Sequence, residues 1–385
     1  MASAPGRVRV GIVGAGVIAQ VMHLHYLAEL SDLYEVTAIC DIVGENARAC
    51  AGRYGIPAAY SDWRELIEGP VDAVFVLTSG SHAPIAIAAA EAGKHVFTEK
   101  PMCFSAAEGQ AMVDAADEAG VTLMVGYPKR YDLAYVKFAR LVSELDGSRL
   151  LRVTTMESPI RPYVAHYPLL PAVRPPEDVS ARLLAASAAA VNAAIGPAGE
   201  LEQRVYANVL LDTLVHEINS VRGLLGEPDQ LDYADLSEQA VTVMLRFGDL
   251  RAAILWADLP GIARYEMEFA AFAPDRRATL SFPSPFLRNE PSSLVTEGGD
   301  LGTARSWRTE EILGYDSAFR RELEAFHSCV AAGAVPVTSG RDGLADIALC
   351  QAIIECHREK RPVQNPTVPK KESYLWPPAP MPLPS

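Results

Sequence analysis

An α/β protein is predicted: a doubly wound parallel sheet first, then an α+β half built on a mainly antiparallel sheet. Two observations carry this. Through residue 126, short β-branched runs alternate with helical stretches, the pattern of a parallel sheet with crossover helices. After residue 150, strand-like runs follow one another around tight turns, the pattern of hairpins.

Residues 7–13 (Arg-Val-Arg-Val-Gly-Ile-Val) form the first strand: short, β-branched and followed directly by glycine. A helix comes next, with Val17, Val21, Leu24 and Ala28 expected on one buried face. The second strand, 35–40, ends at Asp41. Residues 62–67 make a short helix, 71–78 a strand, and 82–93 a helix closed by glycine. The stretch 95–102 is a strand halted at Pro101, because proline has no N–H with which to continue a sheet. A helix over 105–119 and a strand over 120–126 complete the alternation.

Residues 150–157 open the second half as a strand. The segment 159–208 is Pro-rich, then Ala-rich, and reads as loop plus one helix over 179–195. A helix is expected over 208–225. Two strands within 241–260 flank Gly248-Asp249, and a second hairpin within 265–282 turns at 274–277. Amphipathic helices follow at 317–332 and 340–358. The last 20 residues, 366–385, hold seven of the 28 prolines and are expected to form an extended arm.

Bulk composition narrows the function. A length of 385 residues suggests two domains or one large one, and 49% hydrophobic residues suffice for a large core. The net charge of −14 argues against nucleic acid as a partner, since phosphates need a basic face. No run of 18 apolar residues is present, and the N-terminal residues lack the apolar core of a signal peptide, so no membrane role is expected. The six cysteines form no CxxC pair and no metal spacing with histidine; their scatter suits a reducing, cytoplasmic setting, and no metal is expected.

Two constellations carry chemistry. The first is Gly14-Ala15-Gly16-Val17-Ile18-Ala19 between strand and helix, the context in which a G-x-G-x-x-G/A pattern signals a dinucleotide. Gly14 permits the tight turn, Gly16 admits a pyrophosphate, and Ala19 lets the helix pack close. Val17 and Ile18 stand at the helix N-terminus, whose free N–H groups face the phosphates. Asp41 has the spacing of the carboxylate that holds an adenosine ribose, and Ile42 stands where a cation would favour a 2′-phosphate. NAD is therefore expected over NADP.

The second is Lys100, fixed by Pro101 at the carboxyl end of a strand, together with Asp212 and His216. At α-helical spacing Asp212, His216 and Asn219 share one stripe. Either that stripe is a solvated face, or the aspartate orients the imidazole as a general base requires.

These features resemble the Gfo/Idh/MocA family of oxidoreductases (glucose-fructose oxidoreductase, inositol dehydrogenase and rhizopine-catabolism proteins). The resemblance spans about residues 7–365 and rests on the segments 11–19, 92–101 and 125–131, on Asp212-x-x-x-His216, and on Gly226-Glu227-Pro228. It implies a Rossmann dinucleotide-binding domain over 1–130, a substrate-binding and oligomerisation domain with an open, mainly antiparallel sheet over 131–365, and the arm 366–385. By resemblance Lys100 is the active-site lysine, Asp212 and His216 the acid–histidine pair, and Glu99 a residue near the nicotinamide. Thr78, Ser79, Ser81 and His82 resemble a cofactor-lining loop, here one residue shorter than usual. Pro128 replaces a common asparagine, and Tyr206-Ala-Asn-Val replaces a Gly-rich lead into Asp212.

The implied activity is NAD-dependent hydride transfer at a secondary alcohol or ketone of a sugar, nucleotide-sugar or cyclitol, in a homo-oligomer (dimer or tetramer). Two readings stand beside it: a non-catalytic NAD-binding regulator of the same fold, and NAD-dependent glycoside cleavage. Retention of both Lys100 and His216 favours the enzyme. Candidate substrate contacts are Lys129, Arg130, Arg161, Tyr163 and Asn219. The insert over 160–205 is either a lid over the site or an oligomer-contact arm using Leu183, Leu184 and Val191.

Overall fold

The computed structural model describes residues 6–361 and the backbone of 363 and 364; the arm expected over 366–385 lies outside the described residues. Six strands, β1 (Val8–Val13), β2 (Tyr34–Cys40), β3 (Ala58–Tyr60), β4 (Ala73–Val76), β5 (His95–Thr98) and β6 (Leu123–Val125), form a parallel sheet in the order β3-β2-β1-β4-β5-β6. Strand order reverses between β1 and β4, so a ligand crevice opens beyond their carboxyl ends. Local chemistry sets the helix limits. Ser105 and Glu108 form a capping box that starts helix Ala106–Ala119, and Gly120 in the left-handed region ends it.

Nine strands make the second sheet: β7 (Leu150–Glu157), β8 (Gln230–Leu236), β9 (Ala240–Phe247), β10 (Leu250–Asp258), β11 (Glu266–Phe272), β12 (Arg276–Phe282), β13 (Ser293–Asp300), β14 (Arg305–Ile312) and β15 (Val363–Gln364). Their order is β14-β13-β12-β11-β7-β10-β9-β8-β15, and every pair is antiparallel except β7 with β10. Strands β7 to β12 alternate buried and half-exposed residues, so one face carries the core. Helices Val215–Leu225 and Gly340–Glu359 lie against it. Helix Ala318–Ala332 turns back to the first sheet, where Phe326 packs edge-on against Phe75 and Phe97.

Three expectations need correction. The first helix spans residues 17–29 and is π-helical over Ala19–His23, so its buried face shifts: Val17 and Ala28 are exposed. The helix expected over 208–225 is instead a π-helical stretch, Tyr206–Leu214, running into Val215–Leu225. A π-turn advances the register by about five residues per hydrogen bond, so the α-helical stripe does not hold across it. Finally, the insert helix runs over Glu177–Ile195 and, by length and composition alone, is long and apolar enough to cross a membrane; Glu177, Asp178 and Arg182 sit at one end. All six cysteines are free and buried.

Candidate active site

The glycine turn after β1 has the shape a dinucleotide needs. Gly14 adopts φ 108°, and a Cβ there would lie 2.7 Å from the Leu77 carbonyl, so only glycine fits. Gly16 faces open space instead, and it and Val17 are exposed at the start of the helix. That leaves free backbone N–H groups beside a gap, a cradle for a pyrophosphate. Asp41 closes the neighbouring corner. Its Oδ2 accepts from the Ala15 N–H at 3.0 Å, and its Oδ1 from the Val43 N–H at 2.9 Å. The carboxylate is thereby pinned beside the turn with lone pairs left for a ribose diol. Ile42 is exposed beside it and brings no positive charge.

Beyond β4 and β5 the site becomes more enclosed. His82 is buried, and its Nε2 lies 2.6 Å from the Thr78 carbonyl oxygen, which folds the 78–82 loop back on itself. Burial lowers the His82 pKa. Ser79 stays exposed. Glu99 is buried and paired with His23 at 2.7 Å, while its Oε2 accepts from the Lys100 N–H at 3.1 Å. Burial opposes ionisation of Glu99, but the His23 hydrogen bond prevails and its pKa falls below the usual value.

Lys100 reaches from the end of β5 to the π-helical stretch, where its ammonium donates to Asp212 Oδ1 at 2.9 Å and to the Asp212 carbonyl. Among the described residues no hydrogen bond joins Asp212 to His216. The aspartate is partnered by the lysine, a consequence of the π-helical register. His216 follows on the next turn, packed edge-on against Tyr127 with its Nδ1 buried and unpartnered. Burial, then the charges of Lys129 and Lys100, push the His216 pKa well below the usual value. The imidazole is therefore neutral and able to accept a proton.

The expected substrate contacts divide. Lys129 is buried next to the site and its side chain makes no hydrogen bond or ion pair among the described residues; burial lowers its pKa and Glu217 opposes that. Arg130 and Asn219 are committed to each other. Arg130 Nη1 donates to Asn219 Oδ1 at 3.2 Å, and the Asn219 amide donates to Asp342 at 2.7 Å and Asp346 at 2.8 Å. With both amide protons used, Asn219 has none left for a substrate. Arg161 is exposed. Tyr163 is an anchor: its hydroxyl accepts from Ser158 Oγ at 3.2 Å and from the Tyr265 N–H.

The insert runs across the nucleotide edge of its own chain. Tyr167 donates to the Phe286 carbonyl at 2.7 Å, Arg53 donates to the Pro168 carbonyl, and the Leu170 N–H donates to Gln20 Oε1 at 2.9 Å. Val173 and Asn46 then bond reciprocally, backbone N–H to Oδ1 and Nδ2 to carbonyl, both at 2.9 Å. Val191 is buried against the same chain, whereas Leu183 and Leu184 are exposed. Gln20, Asn46 and Gly80 (whose Cβ would stand 3.7 Å from Ser187 Oγ) follow β1, β2 and β4, so the strap crosses the crevice where a cofactor would lie.

The wall behind His216 holds residues that sequence patterns did not single out. Thr155 donates to Glu217 Oε1 at 2.6 Å, and Trp256 lies beside Thr155 in the β7–β10 register. Burial and the neighbouring Glu217 push Glu157 up to about 7. A readable signal was present in Glu217, an acid directly after His216 in the same helix.

Known proteins share this architecture. The model of the Gfo/Idh/MocA oxidoreductase family, NAD-binding Rossmann fold, matches residues 8–127. A myo-inositol 2-dehydrogenase from Thermotoga maritima is 26% identical over 372 residues, which is 92% of this chain and 98% of that protein. Inositol 2-dehydrogenase 3 from Saccharopolyspora erythraea is 28% identical over 364 residues, 90% of this chain and 92% of the relative. Among solved structures, levoglucosan dehydrogenase in complex with NADH and levoglucosan superposes with a TM-score of 0.72 at 21% identity, over 94% of this chain and 100% of the other.

Proposed function

The chain belongs to the Gfo/Idh/MocA oxidoreductase family, and from that premise we propose an NAD-dependent dehydrogenase acting on a secondary alcohol or ketone carbon of a cyclitol or sugar. The observation that carries the reading is a neutral, half-buried His216 beside a Lys100 that reaches across from the nucleotide-binding sheet. Bound NAD supplies the hydride acceptor. His216 takes the hydroxyl proton of the substrate as the carbon is oxidised. The Lys100 ammonium hydrogen-bonds the same oxygen and stabilises the alkoxide charge that builds on it. Asp212 holds the ammonium in place rather than the imidazole. The inositol dehydrogenases to which the chain is similar support a polyol substrate. Turnover of a panel of cyclitols and sugars with NAD tests the reading; no reduction of NAD with any of them counts against it.

Cofactor choice follows from Asp41. A 2′-phosphate beside its carboxylate meets like charge, and Ile42 offers nothing to offset it. NADH is expected to bind at least about tenfold more tightly than NADPH, a difference of about 1.4 kcal/mol. Fluorescence titration with both cofactors measures it, and tighter NADPH binding would overturn the assignment.

The insert acts as a strap over the bound dinucleotide. Val173→Pro removes the N–H that Asn46 Oδ1 accepts while leaving Asn46 itself in place. One hydrogen bond contributes about 1 kcal/mol, so NADH should dissociate about fivefold faster. Stopped-flow displacement reads this rate; an unchanged rate argues for the oligomer-arm role instead.

A further inference from the structure

Two buried side-chain atoms of the His216 wall have no hydrogen-bond partner, and the buried Lys129 and half-buried Glu157 stand beside them. Glu217 Oε2 and Trp256 Nε1 have no hydrogen bond, on side chains that are 0% and 6% exposed as residues. The side chain of Lys129, a residue 8% exposed, makes no hydrogen bond or ion pair among the described residues, although Glu217, Glu157 and Asp132 are opposite charges that act on it. Glu157 is half-buried and lies two residues beyond Thr155 on β7, so both side chains leave the same face of the sheet. Thr155 holds Glu217 from beneath through its Oε1, which leaves Oε2 free.

An unpaired buried lysine and a buried glutamate with a free oxygen are costly, and native chains rarely leave such groups unsatisfied. Attraction should draw the two into contact, yet no ion pair forms. Something that both accepts and donates fits between them. A hydroxyl does this: it donates to a carboxylate and accepts from an N–H. The wall offers two carboxylates, Glu217 and Glu157, and two N–H donors, Lys129 and Trp256. That is the complement of two neighbouring hydroxyls.

We propose that Lys129, Glu217, Trp256 and Glu157 form a second polar subsite that binds a vicinal diol of the substrate, remote from the carbon oxidised beside His216. This rests on the polyol dehydrogenase reading and narrows it to a substrate with at least three hydroxyls, two of them adjacent.

The test compares myo-inositol, each monodeoxyinositol and cyclohexanol as substrates of the full-length enzyme with NAD. Trp256→Phe keeps an aromatic ring of similar shape without the N–H, and Glu217→Gln keeps size while removing charge. Each is expected to raise KM for myo-inositol about tenfold. For at least one monodeoxyinositol, the one lacking a bound hydroxyl, the variant should change KM by less than about twofold, because the interaction is already gone. An effect equal across myo-inositol and all the deoxy analogues overturns the subsite, as does an unchanged KM in both variants. Should Glu217→Gln fail to fold, Trp256→Phe alone decides. If the wild type oxidises cyclohexanol as well as myo-inositol, the subsite falls while the dehydrogenase reading stands; if it oxidises nothing in the panel, both fall.

Discussion

Lys100→Ala and His216→Ala are each expected to lower turnover by about 10²-fold or more, with NADH binding largely retained in His216→Ala. The two losses have different origins. His216 is held neutral by burial and by the two nearby lysines, so it is a ready acceptor for the hydroxyl proton. Its removal leaves water as the base. Lys100 links the end of β5 to the π-helical stretch, through Asp212. Its removal takes away both a donor to the substrate oxygen and the tie that closes the cleft. The pH profile separates the roles. A histidine in water loses its proton near 6.5, and below that value it cannot act as a base. Because the His216 pKa is lowered, the neutral form persists to more acidic pH, so the acid limb of the oxidation rate belongs well below 6.5. Lys129→Met removes a positive charge that helps keep His216 neutral, and that limb should then move upward in pH. Near-normal turnover in both alanine variants, once a substrate is in hand, would remove the mechanism.

What could be read from the sequence was local in origin. The glycine turn, Asp41 and the strand ending at Lys100-Pro101 each depend on a few adjacent residues, and the parallel sheet follows from their repetition. The two hairpins at Gly248 and 274–277 were equally legible. Strands β13 and β14 were not. Gly298 and Gly299 interrupt the first, and seven of the second's eight residues, all but Glu311, are exposed, so neither shows the apolar alternation of a half-buried strand. The Asp212–His216 relation failed for another reason. It assumed α-helical spacing, and the π-helical register instead gives Asp212 to Lys100, 112 residues away in sequence. The same limit applies to Arg130 and Asn219. As single residues they look like surface polar groups free for a ligand, and only the fold brings them together across 89 residues.

Their network yields the largest expected effect on stability. Arg222 is 6% exposed and donates to Asp346, to the Asp342 carbonyl at 3.0 Å, and to Glu227 at 3.1 Å. Asp346 is fully buried and also accepts from Asn219, which in turn takes a bond from Arg130. The network thus joins the turn after β6 to helices Val215–Leu225 and Gly340–Glu359, the elements that set where His216 stands. Arg222→Met fills the space but strips Asp346 of its cation. An uncompensated buried carboxylate costs about 3–5 kcal/mol, well beyond the effect of an ordinary surface substitution. Arg222→Met with Asp346→Leu should recover most of that loss, because the desolvation penalty disappears together with the attraction. Chemical denaturation followed by far-ultraviolet circular dichroism measures both. Equal instability of the single and double variants would mean that packing of the Arg222 stem, rather than its charge, holds the two helices against the turn.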